Sequence, residues 1–310
     1  VCRALAYMGP PLRLSALLHQ PDSALVRQAV DPRYLQMLNL AGFGMASWNH
    51  RDADPDVPLL YRSTTVPVYD DNLVSLAGKL ATTNLLAHVR GVAWSAGGKG
   101  FGPQNLHPFR YPGVRLAFCH NGDLAGFARM KAAMQDRIKP AIRAHITGST
   151  DSEHVYALLL SQLDDPGGHH SAAELLNATG ATLRVIRRLR RDAGIDTSSS
   201  MNLFLSDGRQ LLALRFTFDY GRYPLDPTRL HDANTRFLSL WTTVGSTFEA
   251  DASGRWLMRG GTRRHAAILA SEPLTRDPTG WVEVPEYSAV TVTAWGPGEP
   301  VEVGTTEIDA

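Results

Sequence analysis

The sequence predicts an α+β fold in which helices pack on stacked antiparallel sheets. Two observations predict it. Strand-like and helical segments fall in blocks (strands, then helices, then strands again) instead of alternating one by one. Asp207-Gly208 also joins two apolar runs in the manner of a β-hairpin.

The strand candidates are residues 40–48, small and apolar; 84–90, apolar with a polar end; and 115–120, alternating into a turn. Residues 202–206 and 210–218 flank the hairpin turn, and 237–244, 266–270 and 288–295 continue the β-rich second half. Helices are expected over 23–30, 72–80, 125–138, 149–163 and 172–191. The fourth carries Thr150 and Glu153 at capping-box spacing, with Asp151 complementing the helix dipole. No repeat or linker divides the chain. Residues 2–290 read as one domain, with 291–310 as a C-terminal strand and tail.

Composition narrows the function classes. At 310 residues, one or two domains are expected at about 150 residues each. A net charge of +1 argues against a dedicated nucleic-acid or membrane-surface protein. Arg3 and Arg13 interrupt any secretory signal, and no run has the length of a membrane span, so a cytoplasmic location is expected. Two cysteines, Cys2 and Cys119, exclude a disulfide scaffold and a Cys-rich metal site. His154, His169 and His170 lack zinc-ligand spacing, so neither metal nor other cofactor is expected.

Five short features carry chemistry. Cys2, if residue 1 is removed, combines a thiol with an α-amine whose pKa lies near 7.7–8.0, so one residue supplies nucleophile and base. Asn121 and Gly122 offer a side-chain amide and a backbone N–H at a tight turn, the two donors of an oxyanion hole. Arg90 ends a strand, where its guanidinium suits a carboxylate. Gln104 to Phe109, including His107, follow a glycine-rich loop (95–102) that reads as a lid. Asp151 suits a substrate ammonium. Each alone has an ordinary structural explanation, such as a core cysteine, an Asn-Gly turn, an ion pair, a surface loop or a helix cap.

Their order along the chain is what carries meaning. Cys2-Arg3-Ala4-Leu5-Ala6-Tyr7, Gly42-Phe43-Gly44, His88-Val89-Arg90, Asn105 to Phe109, His120 to Gly122, Ser149 to Glu153 and Ser271-Glu272-Pro273-Leu274 occur together, the last followed by 281–285. This set resembles the standalone branch of the class II glutamine amidotransferases, N-terminal-nucleophile hydrolases, over about residues 2 to 287. The resemblance implies a four-layer αββα sandwich of two antiparallel sheets flanked by helices. It implies that Cys2 attacks a γ-glutamyl amide, that Asn121 and Gly122 hold the oxyanion, and that Arg90, His107 and Asp151 bind substrate. A thioester would form and glutamate would be released.

Partners follow from the same resemblance: a small γ-glutamyl substrate and, if ammonia is used, a synthase on a separate chain. Two alternatives stand beside this reading. One is a γ-glutamyl conjugate hydrolase of the ergothioneine type. The other is a weakened family member acting as a binding or scaffold protein through the five arginines between 184 and 191, which by their spacing with Leu183, Ile186 and Leu189 read as the solvated face of a helix. The sequence departs from the family pattern at Val1, at Ala41 where aspartate is usual, and at Ala93 where threonine is usual.

Overall fold

Residues 2–34, 38–91, 102–219, 239–261, 263–294, 296 and 298–309 are described by the structure, a computed structural model. The chain opens with β1 (Arg3–Arg13), α1 (Leu14–Leu18), β2 (Phe43–Trp48), β3 (Leu59–Ser63), α2 (Asp71–Lys79), β4 (Ala81–Val89) and β5 (Ala117–Asp123). A helical block follows: α3 (Phe127–Gln135), α4 (Pro140–Arg143), α5 (Asp151–Leu160) and α6 (Ala172–Asp192). The second β block comprises β6 (Ser199–Ser206), β7 (Gln210–Arg215), β8 (Thr217–Phe218), β9 (Trp241–Gly245), β10 (Phe248–Ala250), β11 (Trp256–Met258), β12 (Ala266–Ala270), β13 (Val282–Glu283), β14 (Ser288–Ala294) and β15 (Val301–Glu307).

One sheet runs β13-β9-β12-β1-β4-β2-β3 and the other β15-β14-β7-β6-β5, with β8 on β6. Side-chain alternation along the strands generates the layers. On β1, Leu5 and Tyr7 face a cluster containing Leu14, Leu17 and Leu73 of α1 and α2. Ala4, Ala6 and Met8 face the other way, meeting Cys119, Phe204, Ala213 and Val290 of the second sheet. The outer face of that sheet, through Phe118, Leu203 and Leu214, packs on α3, α5 and α6. Helices, sheet, sheet and helices thus form the four expected layers, and alanines on the facing strands let the sheets approach closely.

This parity explains why β1, the central strand of its sheet, is absent from the predicted elements. Both of its faces are buried, so the apolar/polar alternation that marks a half-exposed strand never develops. The helix expected over 23–30 shrinks to a single turn at Arg27–Ala29. There Gln28 Nε2 donates to the Ser23 carbonyl at 2.7 Å, and Asn39 Nδ2 donates to the Gln28 carbonyl at 3.3 Å. Side chains take carbonyls that a longer helix would use.

The capping box expected at α5 is not formed, since Thr150 makes no side-chain cap bond. Glu153 instead accepts from the N–H groups of Thr147 (3.0 Å) and Gly148 (2.6 Å), tying down the preceding turn. The capping box lies on α6, between Ser171 and Glu174. Arg190 also departs from the solvated face expected of its helix. It is buried and donates to Ser199 Oγ at 2.6 Å and to Asp219 Oδ2 at 2.9 Å.

Candidate active site

Cys2 precedes β1, and Arg90 follows β4, its antiparallel neighbour, where Arg3 pairs with Val89. By the parity of Ala4 and Leu86, Cys2, His88 and Arg90 point between the sheets. Asn121 of β5 has the same parity as Ala117 and Cys119, so it enters the space from the opposite sheet. Three strands from two sheets bring Cys2, Arg90 and Asn121 to one end of the inter-sheet layer.

Each is held by named partners. Arg90 donates from Nη1 to the Asn105 carbonyl at 2.8 Å. Asn105 Oδ1 accepts from Ser149 N at 2.9 Å, which links the arginine to the turn leading into Asp151. Asn121 Nδ2 donates to Ser271 Oγ at 2.7 Å, and the same oxygen accepts from Ala4 N at 2.9 Å. Arg3 Nη1 donates to the Cys2 carbonyl at 3.0 Å, while Nε meets Glu272 Oε2 at 3.3 Å. Glu272 further accepts from the N–H groups of Arg33 and Tyr34. Ser271 and Glu272 therefore position the segment carrying Cys2.

The Gly-Phe-Gly segment makes room. A Cβ on Gly44 would lie 2.0 Å from the His107 carbonyl oxygen, and Gly42 has φ +110°. His107 is buried, with its ring 4.1 Å from that of His88 and 4.6 Å from that of Phe109. Its ring nitrogens have no hydrogen-bond partner among the described residues.

Asn121 and Gly122 correct one expectation. They do not form a turn but lie inside β5, where they pair with Asn202 and Met201 of β6. Glycine is needed there because a Cβ would meet the Ser200 carbonyl oxygen at 2.0 Å. Asp151, at the start of α5, accepts from Leu124 N and Ser152 N, each at 2.7 Å. Burial, then the charge of Asp151, pushes the nearby Asp123 carboxyl up.

Burial alone would push the Cys2 thiol up, but a charge on and hydrogen bond from His88, with the terminal ammonium and Arg90, bring it down to about 5. Cys119, buried on the same β5 face, goes well above the ordinary thiol range because burial dominates. His88, Ser271 and Glu272 have sequence signals (His88 two residues before Arg90, the other two in the Ser-Glu-Pro-Leu run) but no predicted role. Val1, Ala93 and residues 95–101 of the expected lid lie outside the described residues. Ala41 is described: its N–H donates to the Arg90 carbonyl at 2.9 Å.

A cavity of about 330 Å³ opens at the opposite end of the sandwich, beside Met8, Trp48, Thr83 and Arg209, away from these groups. Among the described residues, no helix is long and apolar enough to cross a membrane.

Two antiparallel sheets between helices, with a cysteine leading the central strand of one, define the architecture of an N-terminal-nucleophile hydrolase. The family described as class-II glutamine amidotransferases matches residues 42–309, and the chain belongs to it. Among its relatives is the probable glutamine amidotransferase DUG3 of Saccharomyces cerevisiae, 29% identical over 94% of this chain and 82% of that protein. Another is the gamma-glutamyl-hercynylcysteine sulfoxide hydrolase of Mycolicibacterium smegmatis, 24% identical over 94% of this chain and 96% of that protein.

Solved structures share the fold. A glutamine aminotransferase class-II domain protein from Silicibacter pomeroyi superposes with TM-score 0.61 at 21% identity over the whole of both chains. The glutamine phosphoribosylpyrophosphate amidotransferase of B. subtilis does so with TM-score 0.55 at 14% identity, over 99% of this chain and 49% of that one.

Proposed function

We propose that the chain hydrolyses a γ-glutamyl amide through a thioester on Cys2, as a class-II glutaminase. The observation that carries this reading is the convergence of Cys2, Arg90 and Asn121 from three strands at one end of the inter-sheet layer. In the chain freed of residue 1, the α-amine of Cys2 takes the thiol proton and the sulfur attacks the γ-carbonyl carbon. Asn121 Nδ2 and the N–H of Gly122 stabilise the oxyanion. The amide C–N bond breaks, the amine leaves with the proton, and water then cleaves the thioester to give glutamate. Arg90 takes the α-carboxylate and Asp151 the α-ammonium, opposite charges for a zwitterionic head. Ammonia, where it is the leaving group, would pass to a separate synthase chain. The reaction takes place in the cytoplasm.

Ala41 favours a second reading, hydrolysis of a larger γ-glutamyl conjugate. It lies against the Arg90 backbone, where the family usually has aspartate, and it supplies no side-chain acceptor for a glutamine head. The relative that hydrolyses gamma-glutamyl-hercynylcysteine sulfoxide is consistent with such a substrate.

Glutamate release from L-glutamine and from γ-glutamyl amides of bulkier amines distinguishes the two readings. The expected result is release from at least one class and a one-to-one adduct of 6-diazo-5-oxo-norleucine on Cys2, both lost in Cys2→Ala. An unmodified Cys2 with no glutamate from any of these substrates rejects both.

A further inference from the structure

We propose that His120 is a positioning residue that joins the two ends of the substrate site. One ring nitrogen braces the strand segment of Gly122, and the other, through Ser152, braces Asp151. This rests on the proposed γ-glutamyl amide chemistry and deepens it.

The geometry begins with alternation along β5. Cys119 and Asn121 face the space between the sheets, so His120 and Gly122, like Phe118, face the helices. The His120 side chain is buried there. Its Nε2 lies 3.0 Å from the Ser200 carbonyl oxygen on β6, and its Nδ1 lies 3.0 Å from Ser152 Oγ on α5. A carbonyl only accepts, so Nε2 carries a proton and donates to it. Both ring nitrogens are thereby used, and β5, β6 and α5 meet on one imidazole.

The first contact bears on the oxyanion end. A Cβ on Gly122 would strike both atoms of the His120–Ser200 hydrogen bond. That bond therefore lies against the backbone of Gly122, in the place where a side chain would sit. A backbone N–H has no side-chain torsion with which to aim itself. Whatever holds the strand at Gly122 sets the direction of its donor.

The second contact bears on the ammonium end. Ser152 N donates to Asp151 Oδ1 at 2.7 Å, and Ser152 Oγ reaches the same oxygen at 3.2 Å. Asp151 Oδ2 accepts from Leu124 N at 2.7 Å, just beyond the end of β5. The path from His120 through Ser152 and Asp151 thus returns to the strand it started from. Asp151 is held in register with the segment that carries Asn121 and Gly122. The groups proposed for the γ-carbonyl and for the α-ammonium are spaced by this closed ring of contacts, and spacing of this kind decides whether a bound substrate is aligned for attack.

Two substitutions separate the contacts. His120→Gln can still donate to the Ser200 carbonyl but gives up Ser152, so it should raise KM about tenfold with little change in kcat. His120→Asn can still reach Ser152 but gives up Ser200, so it should lower kcat about tenfold or more with little change in KM. Ser152→Ala should reproduce His120→Gln. Its KM penalty should fall on substrates with an α-ammonium and spare the desamino counterpart, a glutaramyl amide, whereas a general structural defect would weaken both equally. Equal penalties on the two substrates, or unchanged constants in the folded variants, overturn the proposal.

If neither His120 variant folds, Ser152→Ala decides, since it removes a single oxygen. A readout without substrate accompanies it: the Leu124 amide, held by Asp151, should exchange its hydrogen severalfold faster than in the parent, and an unchanged rate overturns the positioning of Asp151. The outcomes separate. A parent chain that releases no glutamate from any γ-glutamyl amide refutes the proposed function, while Leu124 exchange still judges the ring of contacts. An active parent whose Ser152→Ala variant keeps both its KM and its Leu124 protection refutes the role of His120 alone.

Discussion

Asn121 Nδ2 donates to Ser271 Oγ across the space between the two sheets, at 2.7 Å. Ser271 immediately follows β12, and its hydroxyl oxygen also takes the N–H of Ala4, two residues from Cys2. A single hydroxyl thus fixes the Asn121 amide, the proposed oxyanion donor, relative to the strand that follows Cys2. Small displacements between an oxyanion donor and its nucleophile are costly because the donors must be preorganised around charge that develops late.

Removing that hydroxyl should therefore act on turnover more than on substrate binding. Ser271→Ala is expected to lower kcat by about tenfold to hundredfold with little change in KM. Ser271→Thr, which keeps the oxygen, should recover most of the loss. Steady-state kinetics on whichever γ-glutamyl amide is turned over reads this out. Equal rates in Ser271→Ala and the parent would show that Asn121 needs no such support.

The next residue, Glu272, is a matter of stability. Its carboxylate and the Arg3 guanidinium are 3% and 1% exposed for arginine and glutamate respectively, at 3.3 Å. Breaking a buried pair from one side strands the other charge, at a cost of about 3–5 kcal/mol. Glu272→Ala also removes the acceptor used by Arg33 and Tyr34 N–H, so urea unfolding should place it in that range. Glu272→Gln keeps an acceptor and should lose less. Near-neutral effects of both variants would mean that Arg3 finds other partners.

The motifs were legible in the sequence because function and backbone geometry restrict residue type at the same positions. Gly42, Gly44 and Gly122 sit where a side chain meets backbone or where φ is positive. Arg90 and Asp151 lie at the ends of their elements. What was not legible follows from burial on both sides. β1 has no alternation to detect, and the edge strand β3 exposes consecutive apolar residues, Leu59 and Leu60, on its two faces. Arg190 reads as one of five helix-surface arginines, yet its role depends on Ser199 and Asp219, contacts that only the assembled fold creates. The roles of Ser271 and Glu272 escaped for the same reason, since these partners are 150 to 269 residues away along the chain.

Two glycine substitutions separate steric need from ordinary backbone freedom. Gly44→Ala places a methyl 2.0 Å from the His107 carbonyl oxygen, where the backbone of His107 packs on β2. It is expected to destabilise by about 1–3 kcal/mol and to displace His107. Gly78, inside α2, has nothing within 4 Å of a Cβ. Gly78→Ala should stabilise by up to about 1 kcal/mol through helix propensity. Thermal unfolding of the pair checks the contrast, and similar shifts for both would deny Gly44 its packing role.

The last prediction concerns acid. Burial drives His107 well below the ordinary imidazole value, and it also lowers His19 and His154. As the pH falls below about 6.5, the unfolded chain binds protons at these rings while the folded chain does not. The sign follows directly: more protons on the unfolded state means stability decreases with falling pH, by up to about 1.4 kcal/mol per pH unit for each ring. The loss begins near 6.5 and continues down to each folded-state value. His107→Asn removes one of these titrations, so its urea midpoint should fall less steeply than the parent's between pH 6 and 4.5, whatever its midpoint at pH 7.5. Parallel curves would mean that His107 takes up a proton inside the fold.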